Sequence, residues 1–312
     1  MRIRKNLLST LLAFVLCFTM FIGVAKSKTN CVHSVYANEE AVVVGVSLPS
    51  QQGDYMTNIN NCLSSTFVNR DFEVSILYAQ DNSANQIGQI YNLIVLGVDV
   101  IVVMPVDGDA LADIINTASD EGITVIVIGR RNTSYRSAIY VDFDYASVAE
   151  DAMNDFLNNY YTQTGTTKVL LFSCNDEHGN VYFDAAKAIL INYTGIVRVE
   201  YRLNNVFEAY TYAQNWLSSN PSLPNAIFNC CDPVAQKVKE ALEDEGYTFT
   251  TGGIPVYGFG TYCSHDYQSI ATLIADLIQG IISGEISPVA GEIFLVDICH
   301  CGGANAGNEG NN

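Results

Sequence analysis

The stretch from Gln86 to Asp107, QIGQIYNLIVLGVDVIVVMPVD, constrains the fold more than any other part of the chain. Ile87, Ile90, Leu93 and Ile94 recur three and four residues apart, which is one face of an amphipathic helix from Gln86 to Leu96. Gly97 stands where a left-handed residue closes such a helix without steric cost. Val98 to Met104 is almost unbroken β-branched and apolar, as in a parallel strand covered on both faces. Pro105 ends that strand, and Val106-Asp107 opens a loop at its carboxyl end, the edge where open α/β sheets bind ligands. A helix, a glycine, a buried strand and a polar loop make one unit of a wound sheet.

The same unit repeats on both sides. Ahead of it stand a buried strand (Ala41 to Leu48), a helix (Tyr55 to Val68) and a strand (Phe72 to Tyr78), with Gln80 to Ser83 as the helix cap. After it come a helix (Asp109 to Asp120), a strand (Ile123 to Ile128) and a short strand (Ile139 to Val141). A long helix from Ser147 to Tyr161 precedes a second series. Its strands are Lys168–Ser173, Val197–Tyr201, Ala226–Asn229 and Pro255–Phe259. Its helices are Val181–Tyr193, Phe207–Leu217, Val234–Glu245 and Ile270–Ile282, with a last strand at Glu292–Asp297. The expectation is an α/β chain of two Rossmann-like lobes with parallel sheets. An N-terminal lobe would span residues 41–143, completed by part of 266–298, and a C-terminal lobe 144–265. Two such lobes facing each other enclose a small molecule between the carboxyl ends of their strands.

Charge narrows the partners. The 312 residues carry a formal net charge of −18, which repels nucleic-acid backbones and anionic membrane surfaces, so no nucleic-acid partner is expected. The N-terminus runs against this balance. Arg2, Arg4 and Lys5 precede an apolar run from Leu11 to Ala25, the layout of a secretory signal peptide; an uncleaved membrane anchor is the alternative. Residues 1–37 would be signal and spacer, leaving 10 basic against 33 acidic residues in an exported protein of the periplasm or the outer face of the cell membrane. Residues 302–312, rich in Gly and Asn, read as a disordered tail. Of nine cysteines, seven would remain after cleavage at Ala37, an odd number that cannot all pair within the chain. They are expected to be buried apolar thiols.

Gln86-x-x-Gln89-Ile90-x-x-Leu93-Ile94-x-x-Gly97-Val98-Asp99, followed by Pro105-Val106-Asp107, resembles the sugar-type periplasmic binding proteins, the ribose/galactose-binding group of ABC importers. Gly45 to Pro49, Gly122-Ile123-x-Val125-Ile126 and Val256-x-Gly258-Phe259 follow the same pattern, and the likeness runs from Ala41 to Glu285. The resemblance implies the periplasmic binding protein type I architecture and a monomer that binds a small molecule, sugars being the family's ligand class, and presents it to a membrane ABC permease or receptor. Neither a cofactor nor enzymatic activity is implied. Carried over residue by residue, the family's stacking aromatic after the first strand falls on Tyr55, beside Asp54. Its Asp-Arg after the fourth strand is here Gly129-Arg130. Its polar second-lobe loop becomes Asp176 to Phe183, with His178, Asn180 and Tyr182 as candidates. Its Asn-Asp appears as Cys231-Asp232, and its Gly-Phe-Asp as Gly258-Phe259-Gly260. Only ten residues separate Phe259 from Ile270, so a crossover strand of the family is missing or reduced, and the second lobe with it.

Each candidate has a plainer reading. Asp107 and Asp232 sit where helix N-caps belong, and Arg130 could be a solvated loop residue or pair with one of many carboxylates. Tyr55 could pack the start of its helix, and Asp142 could lie at the cleft or at the hinge. Cys299-His300-Cys301, with Cys263 and His265 upstream, has thiolate and imidazole donors that suit zinc, but Cys-x-Cys is tighter than the usual spacing, so no metal site is expected. The function expected is solute binding for an ABC-type importer. The alternatives are a sensing module signalling to a membrane receptor or kinase, or a relative that no longer binds.

Overall fold

The computed structural model describes residues 41–129, 131–220, 222–247, 254–258, 263–297 and 299–300. The expected signal segment at 1–37 and the expected tail at 302–312 lie outside the described residues. Among these, no helix is long and apolar enough to cross a membrane.

The first sheet is built from β1 (Val43–Leu48), β2 (Glu73–Tyr78), β3 (Val100–Val103), β4 (Thr124–Ile128), β5 (Ile139–Phe143) and β11 (Ile293–Val296). All six are parallel, in the order β11-β5-β4-β3-β1-β2. The second sheet holds β6 (Thr167–Cys174), β7 (Ile196–Leu203), β8 (Ala226–Asn229) and β9 (Val256–Tyr257), also parallel, in the order β7-β6-β8-β9. Both sheets are covered on both faces, as their apolar strands require. α1 (Asp54–Asn69) and α8 (Tyr267–Ser283) pack together on one face of the first sheet, and α2 (Ser83–Leu96) and α3 (Ala112–Asp120) on the other. α4 (Tyr145–Asn159) and α5 (Glu177–Leu190) cover one face of the second sheet, α6 (Phe207–Ser219) and α7 (Asp232–Asp244) the other.

The stretch that announced the fold forms as expected. Asn82 caps α2 by accepting from the Asn85 N–H at 3.0 Å, and Gly97 closes it in the left-handed region at φ 69°. Its two glutamines do more than begin a helix. Gln86 is fully buried; its Nε2 donates to the Met104 carbonyl at 2.8 Å, and its Oε1 accepts from the Val106 N–H at 2.8 Å. Gln89 accepts from the Ser47 hydroxyl at 3.0 Å and donates to the Tyr78 carbonyl at 2.8 Å. One turn of α2 thus satisfies polar groups at the carboxyl ends of β1, β2 and β3, where the sheet ladder has run out.

The chain passes from β5 into α4 and the second sheet, then returns from β9 through residues 258–266 to α8 and β11. Between Phe259 and Ile270 the described residues hold one strand of two residues. β10 (Cys263–Ser264) pairs antiparallel with β12 (Cys299–His300), Cys263 opposite His300. Two boundaries differ from expectation in a way that matters below. β5 runs on to Phe143, and α5 begins at Glu177 rather than Val181, because Asp176 caps it by accepting from the Gly179 N–H at 2.8 Å. Replacing Gln86 with Leu keeps the volume but strands the Met104 carbonyl and the Val106 N–H. Urea unfolding should show a loss of about 2–3 kcal/mol, and an unchanged midpoint would show that the bracket carries no stability.

Candidate functional site at the edges of the two sheets

The carboxyl ends of both sheets meet. Three aspartates set up the helices that start there: Asp144 caps α4 through the Ser147 N–H, Asp176 caps α5 through Gly179, and Asp266 caps α8 through the Ser269 N–H. Each cap places the next one or two side chains in the first turn, facing the sheet edge. Gly179 lets α5 begin this close, because a Cβ there would stand 2.2 Å from the Cys174 carbonyl oxygen.

His178 reaches from α5 across to the end of β5, its Nε2 2.7 Å from the Asp142 Oδ2. Their side chains are 24% and 15% exposed, so the pair is largely removed from water. The other Asp142 oxygen accepts from the Phe143 N–H at 2.8 Å. Beside it, the Arg131 N–H donates to the Glu177 carboxylate at 3.1 Å. These contacts join the loop after β4 and the end of β5 to the second sheet's α5.

Around them stands a group of rings. Tyr145 stacks on His178 with centroids 4.4 Å apart and planes 17° apart. Tyr55 meets His265 and Tyr267 edge-on at 5.3 and 5.4 Å, and Phe143 lies 4.6 Å from His265. Burial pushes the Tyr55 and Tyr145 hydroxyls well above the ordinary tyrosine range; the nearby Asp142 carboxylate adds to both. Burial lowers His265 to about 4, with Asp142 opposing and His178 reinforcing the shift. A largely desolvated carboxylate, two imidazoles, tyrosine hydroxyls and flat ring faces are therefore concentrated in one place. Such a set can hold hydroxyl groups by hydrogen bonds and C–H faces by stacking.

The sequence candidates divide. Tyr55, Asp142 and His178 come together here, and Asp142 bridges both of its expected locations, standing at the segment that links the sheets while bonding across to the second. Asn180 and Tyr182 belong to α5, not to a loop. Four residues on from His178, Tyr182 points the same way but deeper and is 2% exposed in the core. Asn180 lies on the opposite, exposed side and accepts from Arg202. Asp107 is exposed and accepts from the N–H groups of Asp109 and Ala110 at 3.0 and 3.1 Å, so its carboxylate is engaged by its own turn. Asp54 is the exposed first residue of α1. Arg130 lies outside the described residues, as does the side chain of Asp232, which opens α7. Sequence reasoning missed Phe143, Tyr145 and Tyr267 as site residues and considered His265 only as a metal donor. The Asp-x-x-Ser caps at 144 and 266 were the signal that could have found them.

Chargeable His265 yields a pH prediction. Its folded pKa is about 4 against 6.5 unfolded, so between these values the unfolded chain binds a proton that the folded chain does not. Stability from this residue is complete above pH 6.5 and is lost as pH falls toward 4, by about 3 kcal/mol. His265→Gln should flatten the stability profile over that window relative to the unaltered chain; parallel profiles would remove His265 as the cause.

A family model described as a periplasmic binding protein domain matches residues 44–278. The multiple sugar-binding periplasmic receptor ChvE of Rhizobium radiobacter is 26% identical over 156 residues, 48% of this chain and 44% of that one. The multiple sugar-binding periplasmic protein SbpA of Azospirillum brasilense is 24% identical over 152 residues, 46% of this chain and 42% of that one. The matches thus span less than half the length of these curated relatives. The solved structure of a periplasmic ribose ABC transporter from Conexibacter woesei superposes with a TM-score of 0.72 at 18% identity, over 83% of this chain and 91% of that one, a likeness of fold alone. The chain belongs to the periplasmic binding protein family, and its two parallel sheets have the type I architecture of the sugar-type members.

Proposed function

We propose that this protein is an extracytoplasmic solute-binding protein that captures a small polar ligand, a carbohydrate or polyol, between its two lobes for an ABC-type importer. The observation that carries the reading is the Asp142–His178 pair, which joins the facing sheet edges amid the rings of Tyr55, Phe143 and Tyr145. Carboxylate and imidazole match the hydroxyls of a sugar, and tyrosine faces match its C–H surfaces. We place the lobes at residues 41–143 with 266–297, and at 144–258, linked through the segments that carry Phe143, Tyr145 and His265. Ligand would enter when the Asp142–His178 and Arg131–Glu177 contacts part, and its own contacts with both edges would favour the joined form. The protein would bind and release without chemistry.

A second reading draws on the same place. The protein's own rings and imidazoles already pack against one another there, which favours a relative that has exchanged ligand contacts for internal ones. A thermal-shift screen of the full chain against pentoses, hexoses and polyols separates the two. A ligand at a hundred times its Kd should add about 2.7 kcal/mol of stability, and Asp142→Ala or Tyr145→Ala should abolish that gain while leaving the chain folded. No shift with any sugar or polyol would leave the non-binding reading standing.

A further inference from the structure

The second sheet's edge carries a group of sulfurs that the sugar reading does not use. β6 and β8 are neighbours, with Phe172 abreast of Asn229, so two residues further on Cys174 comes abreast of Cys231, with Cys230 between. The Cys174 and Cys231 sulfurs are 3.7 Å apart, and the Sγ atoms of Cys174, Cys230 and Cys231 all lie within 4.8 Å of one another. Cys230 is buried at 3% exposure; the other two are partly exposed.

We propose that Cys174, Cys230 and Cys231 form a binding site for a thiophilic d10 cation, zinc(II) being the probe. Two sulfurs at zinc–sulfur distances of about 2.3 Å in a tetrahedral site are about 3.8 Å apart, close to the Cys174–Cys231 separation. Hydrogen bonding with Cys174, with burial behind it, pushes the Cys230 and Cys231 thiols up, so the cation has to displace protons that the site otherwise holds. The Cys174 N–H donates to the Cys230 sulfur at 3.1 Å, the kind of outer bond that orients a thiolate ligand. Cys231 is the N-cap of the 13-residue α7, and Cys174 lies two residues before the cap of the 14-residue α5, so the positive ends of two helices offset sulfur charge. On binding, each sulfur releases its proton to solvent and takes the cation in its place. Three sulfurs leave the fourth tetrahedral position for an exchangeable donor.

The full chain, reduced and handled without oxygen, is titrated with zinc(II) against a chromogenic zinc chelator, then alkylated and mapped by mass spectrometry. One equivalent should bind and protect Cys174, Cys230 and Cys231 together. Cys174→Ser or Cys231→Ser should weaken binding by more than the ~10–100-fold that loss of an outer partner costs. A variant with serine at the other six cysteines should keep the site and show three sulfurs at about 2.3 Å by X-ray absorption. Protection falling on other cysteines, fewer than three sulfurs around the bound metal, or no uptake by the reduced chain would overturn the proposal. The mapping needs no substitution, so it decides the matter even where a serine variant fails to fold.

Discussion

Most candidate groups in this protein follow the carboxyl end of a parallel strand, and those ends are where a sheet's own hydrogen bonding stops. Gln86 and Gln89 resolve that difficulty in the first sheet. From one turn of α2 they satisfy the Met104 and Tyr78 carbonyls and the Val106 N–H, and accept a hydrogen bond from the Ser47 hydroxyl. Without them the ends of three strands would carry buried, unpaired polar groups at about 1–3 kcal/mol each. The loops that begin there could not hold a fixed position.

On the other side of the site, aspartate caps do comparable work. Asp144, Asp176 and Asp266 each start a helix at the sheet edge, and each delivers an aromatic or imidazole side chain within its first two residues: Tyr145, His178 and Tyr267. The Asp142–His178 bond then joins edges that belong to different sheets. One polar pair, largely out of water, therefore couples the position of the second sheet to that of the first. Parting them costs a desolvated interaction, and a ligand that bridges both edges can replace it. The apolar core gives the same arrangement a second support, since one cluster runs from the first sheet through Phe143 and Tyr145 to Phe228 and Tyr257 of the second.

The two candidate sites differ in how they could be found. Tyr55 and His178 are candidates from the sequence because they follow strands in a pattern shared with sugar-type relatives. Tyr145 and Tyr267 were passed over because the helices were expected to start later, at Ser147 and Ile270. The aspartate caps lengthen both helices at that end. The sulfur group escaped for another reason. Cys174 and Cys231 are 57 residues apart, whereas the donors of Cys299-His300-Cys301 are adjacent in the chain. Only the side-by-side placement of β6 and β8 makes neighbours of residues so far apart in the chain.

From the amino-acid order alone came the α/β class, the number and sequence of the units, the glycine that ends α2 and the kinship with sugar-type binding proteins. These depend on periodicity within a dozen residues and on steric rules that act locally, so they survive without knowledge of the fold. Tertiary structure decided the rest. It turned Gln86 and Gln89 from helix surface into brackets across three strands, sent Tyr182 into the core and Asn180 to solvent, paired Asp142 with His178, and gathered three sulfurs at one edge. Each of those outcomes depends on which strands lie side by side and how the two sheets face. Such contacts are long-range, and no local pattern encodes them.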